Sequence, residues 1–135
     1  MQLTELYYFH ALINHAFFNG ELEAVILREF ESQDDIVAKL ETNLEPFIIW
    51  FDKSHLEEAD DVFIITVLFH EMIHQFCKEH GIEDVDADGT HLDVFKVIAR
   101  EHGLTHNGYG LSTSVEEFIK KHLERYEEFH KFEYI

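Results

Sequence analysis

The 135-residue sequence predicts one α+β domain, because helical and strand-like segments follow one another without a linker or an internal repeat. Hydrophobic residues make up 46% of the chain, which is typical of a globular protein. The N-terminal segment and the C-terminal half have helical periodicity, whereas the stretch between them contains β-branched and aromatic runs. We therefore treat residues 1–135 as a single compact domain.

The first half of the chain is predicted to form a helix and a small sheet. Apolar residues between Leu3 and Phe18 recur near helical spacing and end at Asn19-Gly20, a pair that favours a helix stop. Three strand-like segments follow, separated by turn-forming residues, and we expect them to form a three-stranded antiparallel sheet. These segments are Glu23 to Phe30, Asp35 to Glu41 and Pro46 to Asp52.

The second half begins with a predicted buried helix. Ser54 and Glu57 have the spacing of a capping box, and the dense apolar residues after them predict a helix that runs to about Lys78. The acidic segment from Gly81 to Thr90 has no periodicity, which indicates a loop.

Two further helices are expected after this loop. Thr90 is predicted to cap a helix that ends at Gly103. Ser114 with Glu117 forms a second capping-box pattern, and apolar residues then recur on one side of the chain. Residues 114–133 are therefore expected to form a C-terminal amphipathic helix that docks on the core.

The charge of the chain disfavours several classes of partner. With 28 Asp and Glu against 10 Lys and Arg, the formal net charge is −18, which repels nucleic-acid phosphates and anionic membranes. The longest apolar stretch, Val62 to Phe69, is much shorter than the roughly 20 residues of a membrane span. A single cysteine, Cys77, cannot form an internal disulfide, and the first residues lack a basic secretory start. We therefore expect a cytoplasmic protein that does not bind membranes.

The strongest chemical signal is the sequence His70-Glu71-Met72-Ile73-His74, an HExxH motif. Residues four apart lie on one face of a helix, so His70 and His74 can bind one metal ion. Glu71 lies one step round the helix, where its carboxylate can act as a base on water without binding the metal. The motif therefore predicts two zinc ligands and a catalytic base.

A third protein ligand is needed, and two histidines lie at suitable distances. His80 has the spacing of the long metzincin motif, but Cys77 occupies the position where that motif needs a glycine to turn the chain. Without that turn, consecutive helical turns cannot direct His80 at the same point as His70 and His74. His91 follows the acidic loop and can be returned to the site by it.

The chain resembles the SprT-like zinc metallopeptidases, the family that includes Spartan, over about residues 5–103. The resemblance rests on four segments in the family's order: Phe17-Phe18-Asn19-Gly20-Glu21-Leu22, the sheet, the segment Leu68 to His74, and His91-Leu92-Asp93-Val94-Phe95-Lys96. The last segment usually has His-Gly-x-x-Phe in the family, and Leu92 stands here in place of the glycine. The resemblance implies a zincin-like fold, Zn²⁺ held by His70, His74 and His91, and Glu71 as the catalytic residue.

The expected function is therefore zinc-dependent hydrolysis of peptide bonds in a protein or peptide substrate. Two alternatives remain open: a zinc-stabilised protein-binding module without turnover, and a DNA-associated repair protease. Family members often carry a Cys-rich ribbon or a basic DNA-binding tail, whereas this sequence has one cysteine and an acidic stretch from Glu124 to Glu133. Direct binding of nucleic acid is thus not expected.

Other polar residues near the motif have simpler explanations. Cys77 could bind zinc as a thiolate, but a buried inert cysteine is the preferred interpretation. His102 and His106 are interpreted as surface or helix-end histidines, although His106 and Tyr109 are also candidates for stabilising an oxyanion. The alternating aspartates Asp84, Asp86 and Asp88 lack the glutamate that an EF-hand loop needs at its twelfth position, so no calcium site is predicted.

Overall fold

The computed structural model of the chain describes residues 1–133, apart from the side chains of residue 106 and residues 129–133. Within these residues, five α-helices and two small sheets confirm the predicted α+β class. A short 3₁₀ turn, His106–Gly108, separates the last two strands. The elements are α1 (Leu3–Phe17), β1 (Ile26–Phe30), β2 (Ala38–Glu41), β3 (Ile48–Asp52), α2 (Lys53–Glu58), α3 (Asp61–Glu79), α4 (Asp93–Glu101), β4 (Leu104–Thr105), β5 (Gly110–Leu111) and α5 (Thr113–Glu133).

The three-stranded sheet is mixed, so the prediction of an antiparallel sheet was wrong. The strand order is β1-β3-β2: β3 pairs with β1 in parallel, with Ile26 opposite Ile48, and with β2 in the antiparallel direction. The sequence explains why β3 is central, because Ile48, Ile49 and Phe51 are all buried and a strand paired on both sides needs such a run. Strand direction is not encoded in that run, since alternation specifies faces but not the direction of pairing.

The segment predicted as one helix from Ser54 to Lys78 is two helices, α2 and α3. Ala59 and Asp60 between them have extended backbones, which ends α2. The predicted Ser54–Glu57 capping box was also wrong, because Asp52 is the N-cap of α2 and its side chain accepts a hydrogen bond from the His55 amide at 3.1 Å. A carboxylate at the end of β3 therefore fixes the start of this helix.

Helix α3 is the centre of the core, as predicted from its dense apolar residues. Nine of its residues are buried, among them Ile65, Leu68 and Met72, and it packs against α1, α4, α5 and β2. This burial holds the helix, and with it the HExxH motif, in one orientation. Among the described residues, no helix is both long and apolar enough to cross a bilayer.

The other two predicted caps, Thr90 and Ser114, were also wrong. Helix α4 begins at Asp93 with Leu92 as its N-cap, so Thr90 lies two residues before the cap, where its amide donates to the Asp86 side chain at 3.0 Å. Helix α5 begins at Thr113, so Ser114 lies inside the helix and not at its cap.

Helix α5 packs on the core along one side. Val115, Ile119 and Leu123 are buried in the main hydrophobic cluster. The ring of Tyr126, further along the helix, lies 5.2 Å from that of Tyr8 on α1. The helical periodicity of this segment also predicts Phe129 on the same side, but its side chain lies outside the described part of the chain.

Candidate metal centre

Three histidines from two parts of the chain meet on one face of α3. His70 and His74 lie one helical turn apart, and their Nε2 atoms are 3.3 Å from each other. His91 lies just before α4 and completes the group, with one ligand atom of each residue within 4.8 Å of the others. The structure thus brings together the three residues that were predicted as metal ligands. The three rings are close enough for one ion to contact all of them.

The second ring nitrogen of each histidine has its own hydrogen-bond partner. The Nδ1 of His70 is 2.7 Å from the carbonyl oxygen of Gly108, and the Nδ1 of His74 is 2.6 Å from the Asp84 carboxylate. The Nδ1 of His91 is 3.1 Å from the hydroxyl of Tyr109. Histidines that bind metals usually have such a partner, because it fixes the tautomer and the direction of the ring.

These hydrogen-bond partners decide which ring nitrogen of each histidine is free to bind a metal ion. Carbonyl and carboxylate oxygens can only accept, so His70 and His74 donate from Nδ1 and their Nε2 atoms keep free lone pairs. The two lone pairs then face each other across 3.3 Å with no donor between them. A shared cation would satisfy both, which is what a metal ion provides.

The electrostatics of the group favour neutral rings. Burial, together with the neighbouring His74 and His91, lowers the pKa of His70 to about 4, although the bond to Gly108 acts in the opposite direction. Burial and then His74 also lower the pKa of His91. Two of the three rings are therefore held in the neutral form that binds a metal, and competition from protons is weak near neutral pH.

The ring of Phe95 forms the inner wall of this group. It stacks on His74 and on His91 with centroids 4.3 Å apart in each case, and its edge contacts His70 at 5.1 Å. Phe95 is fully buried, so the wall is rigid and excludes water from one side of the histidines. It lies in the first turn of α4, directly after the segment that carries His91.

The acidic segment after α3, which was predicted to be a loop, forms an ordered turn. Val85 and His91 form an isolated antiparallel bridge, and the Leu92 amide donates to the Asp84 carbonyl at 2.8 Å. The side chain of Asp86 accepts from the amides of Asp88 and Thr90, which closes the turn. The segment therefore delivers both His91 and the carboxylate that binds His74.

Glu71 has the environment of a base. Its side chain is only 8% exposed, and it makes no hydrogen bond or ion pair with any residue that the structure describes. Burial, with a smaller contribution from Asp84, raises the pKa of its carboxyl group to about 7. A buried carboxylate without a protein partner is left free to bind water or substrate.

The remaining candidates lie outside the histidine group. His80 is the C-cap of α3, where its ring stacks on Phe76 at 4.1 Å and its Nδ1 donates to the Phe76 carbonyl. Cys77 is fully buried, and burial raises the pKa of its thiol to about 12, which opposes formation of a thiolate. His102 stacks on Phe18 at 4.6 Å at the end of α4. The side chain of His106 is outside the described residues.

The sequence analysis missed Asp84 as a partner of the histidine group. Its carboxylate lies ten residues from His74 in sequence, and only the turn before His91 brings the two together. The sequence does show a carboxylate between the second and third histidines, but the whole segment was interpreted only as a solvated acidic loop. Gly108 contacts His70 through its backbone carbonyl, so no side chain in the sequence indicates this role.

We expect Asp84→Ala to weaken zinc affinity by about 10- to 100-fold, because loss of an outer-shell partner frees the His74 ring. The measurement is competition for zinc against a chelator of known affinity. Asp88→Ala is the matched control, since it removes the same charge from the same turn. Equal losses in the two variants would show that net charge, and not the contact with His74, is responsible.

The site thus combines three convergent imidazoles, an unpartnered buried carboxylate and a rigid aromatic wall. Such a set can bind a metal ion and place a base beside it. No protein-family model matches the sequence, and no curated protein matches it.

Proposed function

We propose that the protein is a zinc-dependent peptidase that hydrolyses peptide bonds in protein or peptide substrates. The observation that carries this proposal is the facing pair of Nε2 lone pairs, 3.3 Å apart, next to His91 and the unpartnered Glu71. A structural histidine cluster would not need a buried carboxylate beside it. A hydrolytic centre needs both, because a metal and a base act on the same water molecule.

The donor set of the site suits zinc. Imidazole nitrogens are preferred zinc ligands, and three protein ligands leave one position open, as in catalytic zinc sites. His70, His74 and His91 would hold the ion. When bound, zinc supplies a Lewis acid that polarises a carbonyl group and lowers the pKa of water towards ~7.

The residues of the chain have distinct roles in this proposal. Glu71 takes a proton from the attacking water and returns it to the leaving amine. Burial raises the pKa of its carboxyl group to about 7 in the metal-free chain, and a bound cation would favour the ionised form that accepts the proton. Asp84, Gly108 and Tyr109 hold the three rings in the orientation that the ion requires.

We also propose that the chain is a SprT-like metallopeptidase with a zincin-like fold. Support comes from the order of the elements: α1, the small sheet, the HExxH helix, and then His91 with Phe95 at the next helix. Leu92, which replaces the family's glycine, has a φ of −79°, a value that any residue adopts. The replacement therefore needs no special backbone conformation.

The substrate class follows from the charge of the chain and from the site. A formal charge of −18 disfavours direct contact with nucleic acid, so we propose a protein or peptide substrate. The competing hypothesis is a binding module that holds zinc without turnover. It predicts the same metal content but no cleavage.

The test is hydrolysis of denatured casein by the zinc-loaded protein. We expect new casein fragments, loss of cleavage after zinc is removed with EDTA, and recovery when zinc is added back, because the ion has to be present for the chemistry. Zinc-loaded protein that leaves casein and a mixed peptide library intact would contradict catalysis and favour the binding module. Cleavage that persists after complete removal of zinc would indicate a contaminating protease.

A further inference from the structure

One face of α3 leads from its N-terminal half to the histidine pair. An α-helix turns by about 100° per residue, so Phe63, seven residues before His70, lies only about 20° from it around the helix axis. This direction lies between those of His70 and His74. Val67 lies about 60° from His70, between His74 and Glu71. All of these residues therefore share one side of the helix.

This side of α3 is open to solvent near the histidines. Phe63 is 45% exposed and Val67 is partly buried, whereas the neighbouring Leu68 and Phe69 are fully buried. Helical side chains lean towards the helix N-terminus, so the ring of His70 leans over the turn that contains Val67. An ion held by His70 would therefore have Val67 beside it and Phe63 one helical turn further away.

The surface that Phe63 and Val67 form is apolar. No charged residue occurs from Val62 to Phe69, although 28% of the chain is charged. Thr66 has the only polar side chain in this stretch, and its hydroxyl donates to the Val62 carbonyl at 2.7 Å, so it is already satisfied within the helix. An apolar group that covers this surface removes Phe63 from water, whereas a charged group there would lose hydration without gaining a partner.

We propose that Phe63 and Val67 form a specificity subsite that binds a large apolar side chain of the substrate beside the peptide bond that is cleaved. This inference rests on the proposed function and narrows its substrates to polypeptides with residues such as leucine or phenylalanine at that position. Val67 lies about 4.5 Å from His70 along the helix axis, and Phe63 lies about 6 Å beyond it. A side chain next to the scissile bond therefore contacts Val67 when the carbonyl group lies at the histidine group, and only a long side chain extends to Phe63.

The size and charge of the surface favour a substrate side chain over a second copy of the chain. Pairing of two copies would bring together two chains of formal charge −18, which repel each other. Two side chains also offer far less area than the roughly 800 Å² per partner of a stable interface. A single substrate side chain, by contrast, has the size that Phe63 and Val67 can cover.

Two hydroxamates measure this subsite without any need for turnover. Succinyl hydroxamate binds zinc through its hydroxamate oxygens, and its 2-isobutyl derivative adds a leucine-like side chain next to them. We would measure both dissociation constants by titration calorimetry on zinc-loaded protein, and their ratio gives the contribution of the isobutyl group.

Three variants locate this contribution on the surface. Phe63→Gln and Val67→Thr replace apolar groups with polar groups of similar size. Val97→Gln is the matched control, because Val97 is 44% exposed on α4. It lies about 200° round that helix from Phe95, on the side opposite the ring that contacts the histidines.

We expect the isobutyl group to raise the affinity of the wild type about tenfold or more, because apolar side chains cover it. In Phe63→Gln and Val67→Thr most of this gain should be lost, while the affinities for zinc and for succinyl hydroxamate stay at the wild-type level. Val97→Gln should keep the full gain. If the wild type cleaves casein, large apolar residues should flank the cuts, and this preference should fall about tenfold in Phe63→Gln.

Two results would overturn the subsite while the proposed function stands. One is an isobutyl gain that is absent from the wild type or that survives in both Phe63→Gln and Val67→Thr. The other is a wild-type dimer that becomes a monomer in Phe63→Gln with the isobutyl gain unchanged, which would assign the surface to a second copy of the chain. A wild type that binds no zinc would overturn the proposed function and this inference together. Zinc-loaded protein that leaves casein intact but loses the isobutyl gain in Phe63→Gln would overturn catalysis and support the subsite.

Discussion

Glu71→Gln is expected to reduce peptidase activity by at least about 10²-fold while zinc content stays at the wild-type level. Glutamine has the size of glutamate but cannot accept a proton from water. Zinc should remain, because the three imidazoles and not Glu71 form the ligand group. The two readouts are casein cleavage and zinc measured by elemental analysis on the same samples.

Two controls make the Glu71 result specific. Because burial raises the pKa of Glu71 to about 7 from 4.5, the folded state disfavours the ionised carboxylate, and this costs stability as the pH rises through that range. Metal-free Glu71→Gln should therefore melt no lower than the wild type at pH 8, so lost activity would not reflect unfolding. Glu57→Gln, an exposed change on α2, should cleave casein normally. Wild-type activity in Glu71→Gln would contradict the proposed role of the carboxylate.

His91→Ala should lower zinc affinity by more than about 100-fold, whereas His80→Ala should change it little. Loss of a residue that only hydrogen-bonds to a ligand lowers metal affinity by up to about 100-fold, and removal of a direct ligand should lower it further. His91 lies within the ligand group, while His80 is held at the end of α3 by Phe76. Competition against a chelator of known affinity measures both variants on one scale.

The comparison of the two variants also separates two kinds of metalloprotease. A metzincin would use the histidine ten residues after the first, which here is His80. Both substitutions remove one imidazole, so general effects of histidine loss cancel. A larger affinity loss at His80 than at His91 would remove the main support for the SprT-like assignment.

Much of the fold could be predicted because local patterns decide helices and strands. The HExxH spacing placed His70 and His74 on one face, and helical periodicity located α1, α3 and α5. The break between α2 and α3 was missed, because it consists of the extended backbones of Ala59 and Asp60, and no glycine or proline marks it in the sequence. The parallel pairing of β1 with β3 was missed because pairing direction depends on the whole chain path.

The candidate site was less predictable than the motif within it. His70 and His74 are close in sequence, but the Nδ1 partners come from two loops outside α3. Asp84 lies in the segment after α3, and Gly108 and Tyr109 lie in the turn between β4 and β5. Gly108 contributes a backbone carbonyl 38 residues from His70, which no residue-type pattern can reveal. Asp84 and Tyr109 belong to segments whose sequences indicate only loops. Tertiary contacts, and not local propensity, therefore complete the site.

The central claim is that His70, His74 and His91 bind one zinc ion together. Elemental analysis of wild-type, His91→Ala and His80→Ala proteins, purified side by side without added metal, tests it most directly. We predict close to one zinc per chain in the wild type and in His80→Ala, and far less in His91→Ala. A wild type without zinc that also shows no thermal stabilisation when zinc is added, or equal zinc in His91→Ala and wild type, would contradict this claim.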